Sequence, residues 1–256
     1  MDRNARLQRR FEWARGLTGL LAGAVVLAQS FAGNADSKVT TLACNEFPPH
    51  KMQAAPDGRP GYDVEILREA FRRAGQSIDI VYYPWTRALV TAKAGSVDGL
   101  CSCSKRPERE PFFVYSDVMG DVGVGVFLVK GLERKVAAIA DLKALSIGVV
   151  RAYNLQDELI DLGMTPVVVS SDEQGLRMLL VRRIDGFLTF RDTGKYILGK
   201  LAADIDAPYV EFRAAPYFAC FSKAVPGAAE RVKLFNRGLA AMRADGTYDA
   251  ILARYR

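Results

Sequence analysis

The chain has 256 residues, half of them hydrophobic and a quarter charged, ample for a buried core in one large domain or two lobes. Its formal charge is +6, and residues 1–35, with five Arg against Asp2 and Glu12, supply half of that. The remainder is spread without a basic block, which excludes the clustered footprint of a nucleic-acid binder.

In chain order, a basic stretch from Arg3 to Arg15 precedes fifteen largely apolar residues at 17–31 (LTGLLAGAVVLAQSF). Small residues follow up to Ala32 and Ala35, so the pattern predicts a secretory leader over 1–35, cleaved after one of them, and a periplasmic mature chain. The apolar run is shorter than the roughly 20 residues a membrane anchor needs. The absence of Cys near the cleavage point argues against a lipid anchor, and Arg9-Arg10-Phe11 is only a fragment of a twin-arginine signal.

The pattern then alternates strand and helix. Residues 38–44 predict a strand that stops at Pro48-Pro49, with a turn at Asp57-Gly58-Arg59-Pro60-Gly61. Val64, Leu67, Ala70, Phe71 and Ala74 keep helical spacing up to Gly75. A strand at 78–83, a helix at 86–94 and a strand at 97–103 complete a β-α-β-α-β series, which implies a largely parallel sheet under helices. Residues 122–129 form a Val- and Gly-rich strand, after which a second set begins. Its strands are 145–150, 165–169 and 184–188, and its helices 155–162, 172–182 and 192–201, with Ser170 or Ser171 as the cap of the middle one. A strand at 217–221 and two helices through Tyr255 end the chain. The organisation is two similar α/β units, the second inserted within the first.

There is no Gly-x-Gly-x-x-Gly after a strand, no Walker loop and no Gly-x-Ser-x-Gly elbow, and no cofactor is called for. A single His removes most Ser/His and Cys/His schemes, so an enzyme is disfavoured. His50 reads as a loop residue after Pro48-Pro49, and Asp157-Glu158 and Asp172-Glu173 as solvated helix faces. Cys44, Cys101, Cys103 and Cys220 permit disulfides in three connectivities, whereas Cys-Ser-Cys is not a metal-knuckle spacing, so no metal site is expected. Trp85, after Pro84 at a strand mouth, suits an aromatic cleft wall and equally a core position. Arg106 and Arg109 follow the carboxyl end of a strand, where open α/β sheets collect ligands. A guanidinium there can grip a carboxylate through two hydrogen bonds; the alternative is a surface Arg paired with Glu108 or Glu110.

Taken in order, Gly61-Tyr62-Asp63-Val64-Glu65-Ile66, Trp85 with Gly95-Ser96-Val97-Asp98-Gly99, and Arg109 leading to Tyr115-Ser116-Asp117 form a recognisable series. It continues with Ala140-Asp141-Leu142-Lys143, Ile147-Gly148-Val149, Arg183-Ile184-Asp185-Gly186 and Asp245-Gly246-Thr247-Tyr248. In these the chain resembles the family 3 extracellular solute-binding proteins, type II periplasmic binding proteins best known for polar amino acids. The resemblance implies an α/β, two-lobed periplasmic-binding-protein-like fold (type II), with two mixed-sheet lobes joined by two hinge segments. Residues 36–120 and 216–256 would form one lobe, and 121–215 the inserted one.

By motif position, Arg109 matches the arginine that holds a ligand carboxylate, Trp85 the aromatic wall, Phe47 a second aromatic and Ser104 an assisting hydroxyl. The second lobe departs from the pattern. Arg151-Ala152-Tyr153-Asn154 stands where Gly then Thr or Ser is usual, leaving Arg151 and Tyr153 as candidates there. The acid that takes an α-ammonium belongs five residues beyond Asp185, where Phe190 stands, and Asp192 could serve with a two-residue shift. The resemblance places the strands bearing Cys44, Cys101 and Cys220 side by side, with Cys101 and Cys103 on one face; one disulfide is expected, with no preferred pair. The function implied is capture of a carboxylate-bearing solute, an amino acid favoured, by a monomer that delivers it to an ABC-transporter permease. The alternatives are a sensory module for a receptor and a dehydratase-like enzyme using Glu46 or Asp192.

Overall fold

β-branched and aromatic runs stopped by Pro or Gly make the strands, and amphipathic runs stopped by Gly make the helices. A computed structural model describes residues 39–54, 58–201 and 207–255; the expected leader, together with Asp57 of the expected turn, lies outside them. The chain begins β1 (Thr40–Cys44), α1 (Tyr62–Arg73), β2 (Ile78–Tyr82), α2 (Trp85–Lys93), β3 (Gly99–Cys103). A short 3-10 turn at Pro107–Arg109 leads into β4 (Phe113–Leu128), and another at Ile139–Ala144 into β5 (Ile147–Val150). Then follow α3 (Asn154–Asp161), β6 (Val167–Val169), α4 (Asp172–Leu180), β7 (Gly186–Phe190) and α5 (Arg191–Leu201). The chain closes with β8 (Tyr209–Ser222), α6 (Ala228–Ala244) and α7 (Thr247–Ala253). Gly75 and Gly95, both with φ of 74°, follow the ends of α1 and α2 in the left-handed conformation that stops a helix.

The eight strands form one sheet in the order β2-β1-β3-β8-β4-β7-β5-β6. It is parallel at both ends, β1 with β2 and β3, and β5 with β6 and β7. The middle is antiparallel, β8 lying between β3 and β4, and β4 against β7. The sheet is therefore mixed, as the family resemblance implies, where the strand-helix alternation alone suggested a largely parallel one. β4 and β8 have 16 and 14 residues, far longer than the sequence pattern predicts, and they alone run from one parallel set into the other. Their pairing shifts register between Tyr115 and Val118, between Val118 and Gly120, and again between Val124 and Gly125. Each shift breaks the period of two, so no alternation survives to be read.

Two disulfides, not one, pin the first set: Cys44–Cys101 joins β1 to β3 and Cys103–Cys220 joins β3 to β8, with Cα separations of 5.2 and 6.2 Å. β3 has a neighbour on each side, so its two cysteines reach opposite ways across the sheet.

Candidate functional site

The loop after β1 folds back on itself. Phe47 and Lys51 exchange two backbone hydrogen bonds of 2.9 Å, across a cis Pro48-Pro49 bond, and the Asp63 amide donates to the His50 carbonyl at 2.9 Å. Gly61 backs this turn with φ of 95°, and a Cβ there would collide with the His50 carbonyl. The fold-back sends Phe47, His50 and Lys51 inward, and all three are buried.

Lys51 is 3% exposed. Its Nζ donates to Asn45 Oδ1 at 3.1 Å and Ser102 Oγ at 2.8 Å, and lies 5.0 Å from the Phe47 ring centre. Behind them, Asp63 accepts from Ser102 Oγ at 3.1 Å and from the Tyr217 hydroxyl at 2.8 Å, with His50 Nδ1 3.5 Å away. His50 Nε2 and the Tyr62 hydroxyl share a 2.5 Å hydrogen bond. Burial pulls the Lys51 ammonium down to about 8, against the opposing fields of Asp63, Asp172 and Glu46.

Arg109 ends the 3-10 turn after β3 and is 4% exposed, not a surface residue paired with Glu108 or Glu110. Its guanidinium lies 5.4 Å from the Trp85 ring centre and reaches only carbonyls, Ser104 O at 3.4 Å and Ala152 O at 3.3 Å. Among the described residues no carboxylate lies within ion-pairing distance of it, and burial pushes its pKa below the usual guanidinium value. Trp85 opens α2, and its Nε1 donates to the Ala152 carbonyl at 2.8 Å. Ala152 has φ of 61°, and this strained turn aims one carbonyl at both Trp85 and Arg109.

Lys51, Asn45, Ser102, Arg109 and Trp85 line a cavity of about 60 Å³. Its aromatic wall comes from both strand sets. Phe47 and Phe190 meet edge-on at 5.3 Å and Trp85 and Tyr153 at 6.1 Å, while Tyr153 and Phe190 are tilted at 5.6 Å. Ser104 Oγ reaches Asn154 Oδ1 across the cavity at 3.4 Å. Among the described residues that line it there is no Asp or Glu.

A model of the bacterial extracellular solute-binding proteins, family 3, matches residues 39–256. The chain belongs to that family. No curated protein matches it. Among solved structures, a histidine kinase sensor domain with similarity to periplasmic binding proteins superposes with a TM-score of 0.77 at 22% identity, covering 85% of this chain and 96% of the other. The arginine-, lysine-, histidine-binding protein ArtJ from Geobacillus stearothermophilus gives 0.74 at 19%, covering 85% and 95%. The substrate binding protein of an amino acid ABC transporter gives 0.69 at 16%, covering 84% and 98%. The likeness is one of fold, of the type II periplasmic-binding-protein kind.

Of the positions that the family resemblance suggests, Arg109, Trp85, Phe47, Ser104 and Tyr153 line the one cavity. Arg151 does not, because the left-handed turn at Ala152 leaves its side chain exposed. Asp192 does not either. It lies in the first turn of α5, pairs with Arg191 at 2.9 Å, and lines a separate cavity of about 590 Å³ with Tyr62, Tyr248 and Tyr255. The register of β7 instead puts Phe190 into the inner cavity, so a hydrocarbon ring stands where the family pattern puts an acid.

Asp172 is buried rather than on a solvated helix face, because it lies on the same inward side of α4 as Gly175, Leu176 and Leu179, while Glu173 is exposed. It accepts from the Tyr153 hydroxyl at 2.9 Å and from the Thr189 hydroxyl, and burial pushes its carboxyl pKa up. Ser171, not Ser170, caps α4 by accepting from the Gln174 amide. A third cavity of about 330 Å³ shares Asn45, Trp85 and Tyr153 with the first and adds Glu46 and Asp172. Tyr153 thus stands between the cationic chamber and the acidic one.

Sequence reasoning missed Lys51, Ser102, Asn45 and Asp63. His50, an ordinary loop residue by its sequence position, is 1% exposed. Lys51 is four positions after Phe47, and only the fold-back places the two side by side.

Proposed function

We propose that the chain is an exported binding protein that captures a small carboxylate-bearing solute in the inner cavity and performs no chemistry on it. The observation that carries the reading is Arg109: a guanidinium buried against Trp85 with only weak carbonyl contacts, its donors available to a bidentate carboxylate. Residues 36–120 with 216–256, and 121–215, act as two lobes. β4 and β8 are the hinge segments, a role supported by their length and by register shifts near the crossing point. In the closed form the Ala152 carbonyl ties the second lobe to Trp85 and Arg109 of the first.

Arg109→Ala should weaken binding of a carboxylate ligand by about 2–5 kcal/mol, roughly thirtyfold to a few thousandfold. Titration calorimetry on the purified chain measures it, and unchanged affinity refutes the assignment. The closed monomer would dock on the permease of an ABC transporter. A sensory role is the second reading, favoured by the likeness to a kinase sensor domain. Permease and ATPase genes beside this one, with ligand-dependent ATP hydrolysis by that pair, decide for transport; a neighbouring receptor gene decides for sensing.

A further inference from the structure

We infer that the inner cavity is built for a compact solute with two anionic groups, one on Arg109 and one on Lys51, and not for a zwitterionic amino acid. The inference rests on the carboxylate-capture reading above and names the class of solute. An ammonium carries three protons, and Asn45 and Ser102 take two of those of Lys51. Its field partner Asp63 sits behind Ser102, with both carboxylate oxygens occupied by Ser102 and Tyr217. Lys51 therefore presents its remaining donor beside the Phe47 ring with no carboxylate in ion-pairing reach among the described residues.

The chamber has two buried cationic heads and, among the described residues, no acid on its lining. Asp172, a second acid close to the lining, is bound by Tyr153 and Thr189 on the far side of the Tyr153 ring. The second strand set adds the Phe190 and Tyr153 rings and the Asn154 amide, whose Oδ1 already accepts from Ser104. An α-ammonium would meet two like charges and no anionic partner among the described lining residues. The volume of about 60 Å³ restricts the solute to a short chain.

The test is calorimetric titration of the full chain with malonate, succinate, acetate, glycine and alanine. At least one dicarboxylate should bind tenfold or more tightly than acetate and than either amino acid. Lys51→Met should weaken that dicarboxylate at least tenfold and acetate by less, closing the gap between them. Titration of wild type at pH 8.5 in two buffers of different ionisation enthalpy should show proton uptake on dicarboxylate binding, because a second anion joins Asp63, Asp172 and Glu46 in holding the Lys51 proton.

Glycine or alanine binding as tightly as the dicarboxylates overturns the inference while leaving the role of Arg109 intact. Equal loss for acetate and dicarboxylate in Lys51→Met overturns it as well. If none of the five binds, the carboxylate reading fails and this inference with it. Since the wild-type panel needs no variant, a misfolded Lys51→Met cannot rescue the idea.

Discussion

Lys51 makes a prediction that needs no ligand. Its pKa falls from 10.5 to about 8 in the folded chain because burial disfavours the ammonium. At about 1.4 kcal/mol per pH unit, folding with that charge costs about 3 kcal/mol. Below pH 8 both folded and unfolded chains hold the proton, so the whole cost is present. Between pH 8 and 10.5 the unfolded chain keeps a proton that the folded chain has released, and stability rises with pH. From pH 8 to 9.5 the rise should be about 2 kcal/mol. Tyr153 and Tyr217 work in the opposite direction, their pKa values raised by burial, but only above the ordinary tyrosine range near 10. Urea unfolding of wild type and Lys51→Met at pH 7, 8, 9 and 9.5 isolates the effect as the difference between the two curves. Parallel curves would refute the buried, unpaired ammonium. A rise that disappears at saturating dicarboxylate would show the ligand holding the proton.

Two further outcomes follow from the frame around the site. The Cys103–Cys220 bridge spans 117 residues and Cys44–Cys101 spans 57, so loop entropy alone gives about 4–5 kcal/mol for each as an upper end. Replacing both members of a pair by Ala should lower urea stability by about 2–4 kcal/mol, more for the longer loop, and no loss would refute the entropic account. Gly61→Ala should destabilise by at least about 1–2 kcal/mol and weaken ligand binding. Its left-handed φ and the His50 carbonyl leave no room for a Cβ in the turn that carries Lys51, and wild-type thermal stability in this variant would refute that role.

The sequence by itself determined the alternation of elements. Helix faces such as Val64, Leu67 and Phe71, and stops such as Gly75 and Gly95, are written in local periodicity and left-handed turns, while the family resemblance rests on the order and spacing of short motifs. It also made Arg109 and Trp85 candidates, because both follow strands whose positions are locally encoded, and the family resemblance added Phe47.

Only the tertiary structure decided what depends on contacts distant in sequence. The full lengths of β4 and β8 are hidden by bulges that scramble alternation. The choice of cysteine partners depends on β3 lying between β1 and β8. Whether Asp172 or Asp192 faces the site depends on how α4 and α5 rotate against the sheet, and that orientation buried Asp172 beside Tyr153 and sent Asp192 to another cavity. Lys51 in a hydrophilic loop reads as solvated. The fold-back against Phe47 and the carboxylate of Asp63 behind Ser102 bury it, and neither can be read from periodicity, because side-chain burial is set by what the rest of the chain brings to that side of the loop.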